Sequence, residues 1–222
     1  MRRTVALLAC LALGHPYPAL AGAWPREQGS TFAAAGVSLR WPQDLSHWTS
    51  TAPTQEYRTL YLEYGLTDRV TLGLDLGRSV SGDDKSIAFV QFPLRASDRG
   101  PKIALQLGFG KIGDDPILRP GLSLGWGLAK GWMSAEAVAE VATSDGSTDV
   151  KLDMTWGRKL PGDRKLILQM QLGDPEDDPA FARFAPSLVI PLRSNLKTEI
   201  GATWGLAGDS SMGLRFGLWA EF

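Results

Sequence analysis

The chain has 222 residues, 44% hydrophobic and 21% charged, and its 23 Lys and Arg against 24 Asp and Glu leave a formal charge of −1, which excludes the basic balance of a nucleic-acid binder. A mean hydropathy of −0.09, with its long apolar stretch confined to the N-terminus, excludes a bundle of spanning helices. A spanning β-barrel stays open, because lipid-facing and lumen-facing residues alternate along each barrel strand and average to near-neutral hydropathy. The 25 glycines and 8 tryptophans fit β structure at an interface.

Residues 1–21 read as an export signal. Arg2 and Arg3 are followed by the apolar run Val5 to Gly14 and then by the A-x-A site Ala19-Leu20-Ala21. Cleavage is expected after Ala21, leaving one mature domain, residues 22–222, with 21 basic and 24 acidic residues. The signal also carries the only cysteine, Cys10, so the mature chain suits an oxidising periplasmic route. Lipoprotein processing before Cys10, at Leu7-Leu8-Ala9-Cys10, is the rival reading; it leaves too short an apolar core ahead of the Cys. The arginine pair lacks a fuller twin-arginine pattern, so ordinary export is expected.

Beyond the signal, period-2 alternation recurs to the last residue and no segment keeps helical spacing for three turns. Val70, Leu72, Leu74 and Leu76 alternate with Thr71, Gly73, Asp75 and Gly77; Leu196, Thr198, Ile200, Ala202 and Trp204 alternate with Lys197, Glu199, Gly201 and Thr203. Runs bounded by turn residues predict twelve strands, over 30–41, 55–64, 70–79, 86–94, 102–110, 118–128, 132–143, 148–158, 165–173, 181–191, 196–206 and 211–222. Most have about the 9 to 11 residues that a tilted strand needs to cross a bilayer. The fourth is ambiguous, because Ile87 to Leu94 is nearly apolar and either face can point outward. Pro93, Pro120, Pro186 and Pro191 are expected near strand ends, where a missing donor is tolerated. The fold class is therefore all-β, an up-and-down antiparallel transmembrane barrel of about twelve strands. The competing soluble β-sandwich would hide its apolar faces internally and rarely runs so many consecutive strands on such short links.

Connections alternate in charge. Counted over windows that take in the adjoining strand ends, the links after even-numbered strands (65–69, 95–102, 129–131, 158–165 and 192–197) hold 11 Lys and Arg and 3 acids, and those after odd-numbered strands (42–54, 80–85, 111–117, 144–147, 174–180 and 207–210) hold 2 and 11. An even-stranded barrel with both termini in the periplasm has two such distinct rims, so the basic rim is assigned to the periplasm and the acidic rim to the outside. Tyr64, Trp126, Trp156 and Phe222 fall near the first rim and Trp41, Phe109, Phe184 and Trp204 near the second, as membrane girdles do.

The C-terminus Arg215-x-Gly217-x-x-Ala220-x-Phe222 resembles the assembly signal of bacterial outer-membrane β-barrels. The resemblance implies that the last strand and Phe222 are read by the barrel-insertion machinery. The hairpin Tyr61 to Leu72, with its Tyr64-Gly65-Leu66-Thr67-Asp68-Arg69 turn, is similar to a unit of small proteobacterial outer-membrane proteins, including transporters of the phenol-degradation MetA type. That likeness covers the hairpin specifically and the rest as a pattern; it implies no catalytic residue and no substrate. It implies a place in the outer membrane of a Gram-negative cell, among lipid and lipopolysaccharide.

Alternation turns Arg40, Glu63, Asp75, Arg119, Glu136, Glu140, Lys151, Asp153, Lys197, Glu199, Arg215 and Glu221 inward, with Gln106, Gln169 and Gln171. In one reading they line a wet pore for small solutes; in the other they pair and fill a narrow, closed structural or surface-interaction barrel, since a buried unpaired charge is costly. Inward glycines at 73, 77, 108, 121, 125, 127, 201 and 217 are expected to widen the lumen or to ease strand curvature. A third reading is a lipid hydrolase or acyltransferase using Ser46 and His47 in the first outer loop, but no further catalytic element accompanies them. Asp83-Asp84, Asp114-Asp115 and Asp174-Pro175-Glu176-Asp177-Asp178 lack the ordered ligand spacing of a Ca²⁺ loop. A solvated acidic rim is the expectation, with no enzyme activity, no cofactor and no nucleic-acid partner.

Overall fold

The structure is a computed structural model that describes residues 22–80, 84–95 and 100–222. The proposed signal segment and Cys10 lie outside the described residues, as does Asp83. Twelve strands follow in chain order: β1 (Thr31–Pro42), β2 (Gln55–Thr67), β3 (Val70–Ser79), β4 (Asp84–Arg95), β5 (Lys102–Ile112), β6 (Asp115–Leu128), β7 (Gly131–Ala142), β8 (Thr148–Leu160), β9 (Arg164–Asp174), β10 (Phe181–Arg193), β11 (Leu196–Ala207) and β12 (Ser211–Glu221). Each pairs antiparallel with its sequence neighbours, and β1 pairs with β12 from Phe32 opposite Glu221 to Pro42 opposite Ser211, which closes the barrel. The sandwich reading is thereby excluded. Links are short: Gly113 and Asp114 alone join β5 to β6, with Gly113 at φ 57°, a left-handed value that only glycine adopts without cost.

The two faces are inverted relative to a soluble protein. Leu72, Leu107, Leu122, Met154, Ile200 and Leu218 point outward and are 40 to 51% exposed, while Glu63, Arg119, Glu140, Lys197 and Glu199 are buried within. A continuous belt of this kind is what the wall of a transmembrane barrel carries and not what a soluble monomer exposes. Tyr64, Phe109, Trp126 and Trp204 are exposed on that belt. The tryptophans divide, however: Trp132 is buried inside the barrel and Trp219 packs edge-on against the buried Phe32, so aromatic content is shared between girdles and interior.

β4 resolves the ambiguity of its sequence by turning Ile87, Phe89 and Gln91 inward, all buried. Ile87 joins Ile117 and Ala142 in a small apolar cluster inside the acidic rim. The prolines divide as well. Pro93 and Pro191 stand beside register shifts near strand ends, but Pro120 and Pro186 lie within β6 and β10. There the β6–β7 ladder skips from Leu118–Val141 to Gly121–Val138, and the β10–β11 ladder from Phe184–Trp204 to Ser187–Gly201. A proline nitrogen has no proton to donate, so the pairing lapses while the register holds.

Several inward glycines prove to be sockets instead of spacers. A Cβ at Gly73 would overlap the Phe89 ring, one at Gly125 the Trp24 indole, and one at Gly157 the Trp132 indole. The lumen is filled at these places, not widened. Gly157→Ala is expected to cost about 1–3 kcal/mol through overpacking, read as a lower urea midpoint of the folded barrel in detergent; an unchanged midpoint would show that Trp132 can swing clear.

Candidate functional site: the barrel interior

The interior holds two unlike halves. Toward the acidic rim lies an open cavity of about 360 Å³, lined by Asp75, Arg119, Glu140, Lys151, Asp153 and Gln171 among others. Toward the basic rim, the residues preceding β1 fold back into the barrel and occupy it.

The cavity wall is a chain of ion pairs. Lys85 Nζ lies 2.8 Å from Asp75 Oδ2, and Arg119 Nη1 is 2.6 Å from the same oxygen and 3.8 Å from Glu140 Oε1. Lys151 Nζ completes the chain on Glu140 Oε2. Asp75 on β3 and Arg119 on β6 are separated by two strands and meet across the interior. Arg119 is 5% exposed; it also donates to Gln106 Oε1 at 3.4 Å and lies over the Phe89 ring at 5.7 Å. Desolvating these charges is costly, and the alternation of sign along the chain offsets that cost.

At the acidic rim Arg183 pairs with Asp209, and Arg40 is within their electrostatic range. Asp209 lies in the link before β12; partial burial opposes its ionisation, but hydrogen bonds from Arg183 and Ser211 hold its carboxyl below the usual range. At the basic rim Lys197 Nζ lies 3.3 Å from Asp163 and 3.6 Å from Glu221, and Arg215 Nε lies 3.5 Å from Glu199, which also accepts from Trp219 Nε1 at 3.2 Å. Lys165 Nζ sits 5.7 Å over the Trp219 ring. Glu136 and Asp153, register partners on β7 and β8, make no ion pair among the described residues.

The segment 22–28 carries the other half. Arg26 Nε meets Glu63 Oε2 at 2.5 Å, its backbone N–H donates to Thr71 Oγ1 at 3.0 Å, and its guanidinium lies 4.5 Å over Phe32. Glu63 also accepts from Tyr61 at 2.7 Å. Trp24 fills the Gly125 socket, and the carbonyl of Gly22 accepts from Gln91 Nε2. Sequence reasoning did not single out Arg26, Gln91, Lys85, Lys165, Arg183 or Asp209. The expected fourth strand starts at residue 86, which leaves Lys85 in a connection; β4 begins instead at Asp84 and turns Ile87 and Phe89 inward, and Lys85 shares their parity.

The outer loop of Ser46 and His47 forms a short 3-10 turn, Leu45–His47, capped by Asp44, whose carboxylate accepts from Ser46 N at 2.9 Å. His47 is exposed, with Nε2 3.8 Å from Asp44. Trp41 and Trp48 stack at 6.3 Å, and Trp41 Nε1 donates to Thr51 O at 3.0 Å. No group of three or more metal-ligating side chains occurs among the described residues. The residues expected to form an assembly signal lie along β12 and its end: Arg215 faces Glu199, Gly217 opposes Gly36, Ala220 opposes Ala33, and Phe222, 72% exposed, exchanges both backbone hydrogen bonds with Thr31 at 2.9 Å.

No protein-family model matches the sequence, and no curated protein sequence matches it. Solved structures do match in shape. The KdgM porin in complex with disordered oligogalacturonate superposes with a TM-score of 0.64 at 7% identity, covering 85% of this chain and 99% of that one. The NanC porin superposes at 0.62 with 12% identity, over 84% and 98% of the two chains. The COG4313 outer membrane channel from Pseudomonas putida F1 superposes at 0.58 with 12% identity, over 93% and 100%. At such identities the likeness is one of fold: this chain has the closed barrel found in these outer-membrane porins and channels.

Proposed function

We propose that the chain is an outer-membrane barrel acting as a passive channel for small polar solutes, narrowed at its basic end by residues 22–28. The observation that carries this reading is an open, charge-lined cavity of about 360 Å³ inside a barrel whose outer wall is apolar. Arg119, Asp75, Glu140, Lys151 and Asp153 would set selectivity there, with Glu136 at the floor; Arg40 would act at the acidic mouth, and Glu63, Lys197, Glu199, Arg215 and Glu221 at the basic end. The likeness of fold to porins, and the hairpin similar to that of MetA-type transporters, support transport over catalysis. Reconstitution into planar bilayers should give reproducible single-channel steps. A correctly folded but electrically silent barrel would overturn this reading and leave the closed structural barrel, which the filled basic half favours.

Outer-membrane placement implies export by the N-terminal signal, lipid and lipopolysaccharide as surroundings, and assembly by the insertion machinery. Phe222 points out of the barrel and buries little, so its side chain is free to be read during assembly. Phe222→Ala is expected to change the urea stability of refolded barrel by no more than about 0.5 kcal/mol, while the amount reaching the outer membrane, measured by heat-modifiable gel migration, falls by most of its value. Equal losses in both would assign Phe222 to stability alone.

A further inference from the structure

The chain of ion pairs leaves two acids over, and a single glycine stands beside one of them. Gly22 is buried against Glu136: a Cβ built on it would lie 2.5 Å from Glu136 Oε1, so its backbone nitrogen lies within about 5 Å of that oxygen. Glu136 receives one hydrogen bond, from Ser134 Oγ at 3.3 Å, and its register neighbour is a second carboxylate, Asp153. On the other side of Gly22 stands Gln91, 2% exposed. Its Nε2 donates to the Gly22 carbonyl, and its Oε1 is buried with no hydrogen-bond partner among the described residues. Among the described residues, a carboxylate without a cation and a buried acceptor without a donor thus converge on one residue. Each is costly unless satisfied. The nearby cations are engaged elsewhere, Arg26 by Glu63 and Arg119 and Lys151 by Glu140.

The sequence places signal cleavage at the peptide bond before Gly22. Hydrolysis of that bond by water gives Ala21 a carboxylate and returns the Gly22 nitrogen as a primary amine, which takes up a proton, since α-amino groups ionise near pH 7.7–8.0. An uncharged amide with one N–H becomes an ammonium with three. We propose that the α-ammonium of Gly22 is the counter-ion of Glu136 and a donor to Gln91 Oε1, so that maturation itself locks the N-terminal segment inside the barrel. Before cleavage the same nitrogen carries no charge and Glu136 stays uncompensated. The first mature residue must then be glycine, because a side chain at this position would occupy the space of the Glu136 carboxylate. The inference rests on cleavage after Ala21 and is independent of whether the barrel conducts.

The test uses barrel purified from the outer membrane of an expressing Gram-negative host. Intact mass gives the first residue. The folded protein is then treated with a water-soluble acetylating reagent, and modification is read on the N-terminal tryptic peptide ending at Arg26. Acetylation needs the free, unprotonated amine, so the folded wild type should react at least about ten-fold more slowly than heat-unfolded protein. Glu136→Gln, with a normal heat-modifiable gel shift, should lose most of that protection, and Glu27→Gln, at an exposed position, should keep it. Insertion of one alanine between Ala21 and Gly22 moves the amine about 3.8 Å along the chain and should also release it, which serves if Glu136→Gln does not fold. A first residue other than Gly22 overturns both the cleavage reading and the proposal. A chain that begins at Gly22 but reacts as fast folded as unfolded, or keeps its protection in a folded Glu136→Gln or in the insertion variant, overturns the proposal alone.

Discussion

Arg119→Ala is expected to lower the unfolding free energy of the barrel by about 3–5 kcal/mol, the usual cost of removing one member of a buried, hydrogen-bonded charge network. The guanidinium touches Asp75, Glu140 and Gln106 and covers the Phe89 ring, so one truncation removes a shared cation from two acids at once. Lys85 and Lys151 still hold those acids from the flanks, which keeps the loss below complete unfolding. Arg119→Lys should recover a minor share, because an ammonium is a single point charge without the planar fork that serves several acceptors. Urea titration in detergent, followed by tryptophan fluorescence, checks both. A loss under about 1 kcal/mol would mean that the flanking lysines and entering water suffice, as at an exposed ion pair.

The second large effect is on conductance. Trp24→Ala combined with Arg26→Ala removes the indole from the Gly125 socket and the guanidinium from Glu63, Phe32 and the segment's principal charge contact. Both residues precede β1, so the twelve ladders are untouched and the barrel should still migrate as a folded species. With the segment released, the basic half opens around the rings of Phe32, Trp132 and Trp219 that remain, and single-channel conductance should rise on the order of two-fold or more, given the bore of a barrel between the side-chain-filled eight-strand and open sixteen-strand kinds. Glu63, left with Tyr61 alone, would then carry an uncompensated charge and shift selectivity toward cations. An unchanged step size would show that residues 22–28 are not the constriction.

The strands were legible because their cause is local. Alternation along Val70 to Gly77, or Leu196 to Trp204, sets which face meets lipid, and turn residues set the ends; the observed bounds differ from those expected by no more than three residues. Inward charges followed from the same parity. Their partners did not, because Asp75 and Arg119 meet across the barrel, and no pattern in the sequence encodes which inward residues converge. Residues 22–28 were missed for a related reason. Gly22-Ala23-Trp24-Pro25-Arg26-Glu27-Gln28 has no period, so it reads as a linker, and its fit depends on sockets made by distant glycines. One signal was present: a tryptophan and an arginine in a stretch too short to fold alone, directly after the expected cleavage point. The glycine sockets were misjudged because an inward glycine looks like empty space until the ring that enters it is known.

The seam between β1 and β12 has a bearing on how this protein forms. Eleven of the twelve ladders join strands that follow one another in the chain, so each closes a link of only two to twelve residues at modest entropic expense. The remaining one brings Thr31 to Phe222 across nearly the whole chain. Non-local pairing of this kind is what slows folding, and here it is concentrated in a single event. Until it happens, the facing edges of the first and last strands expose unpaired backbone groups that bind any available strand. The time the chain spends as an open sheet, and with it the exposure to aggregation, is therefore governed by one zip, whose terminal residue, Phe222, is also the last residue of the proposed assembly signal.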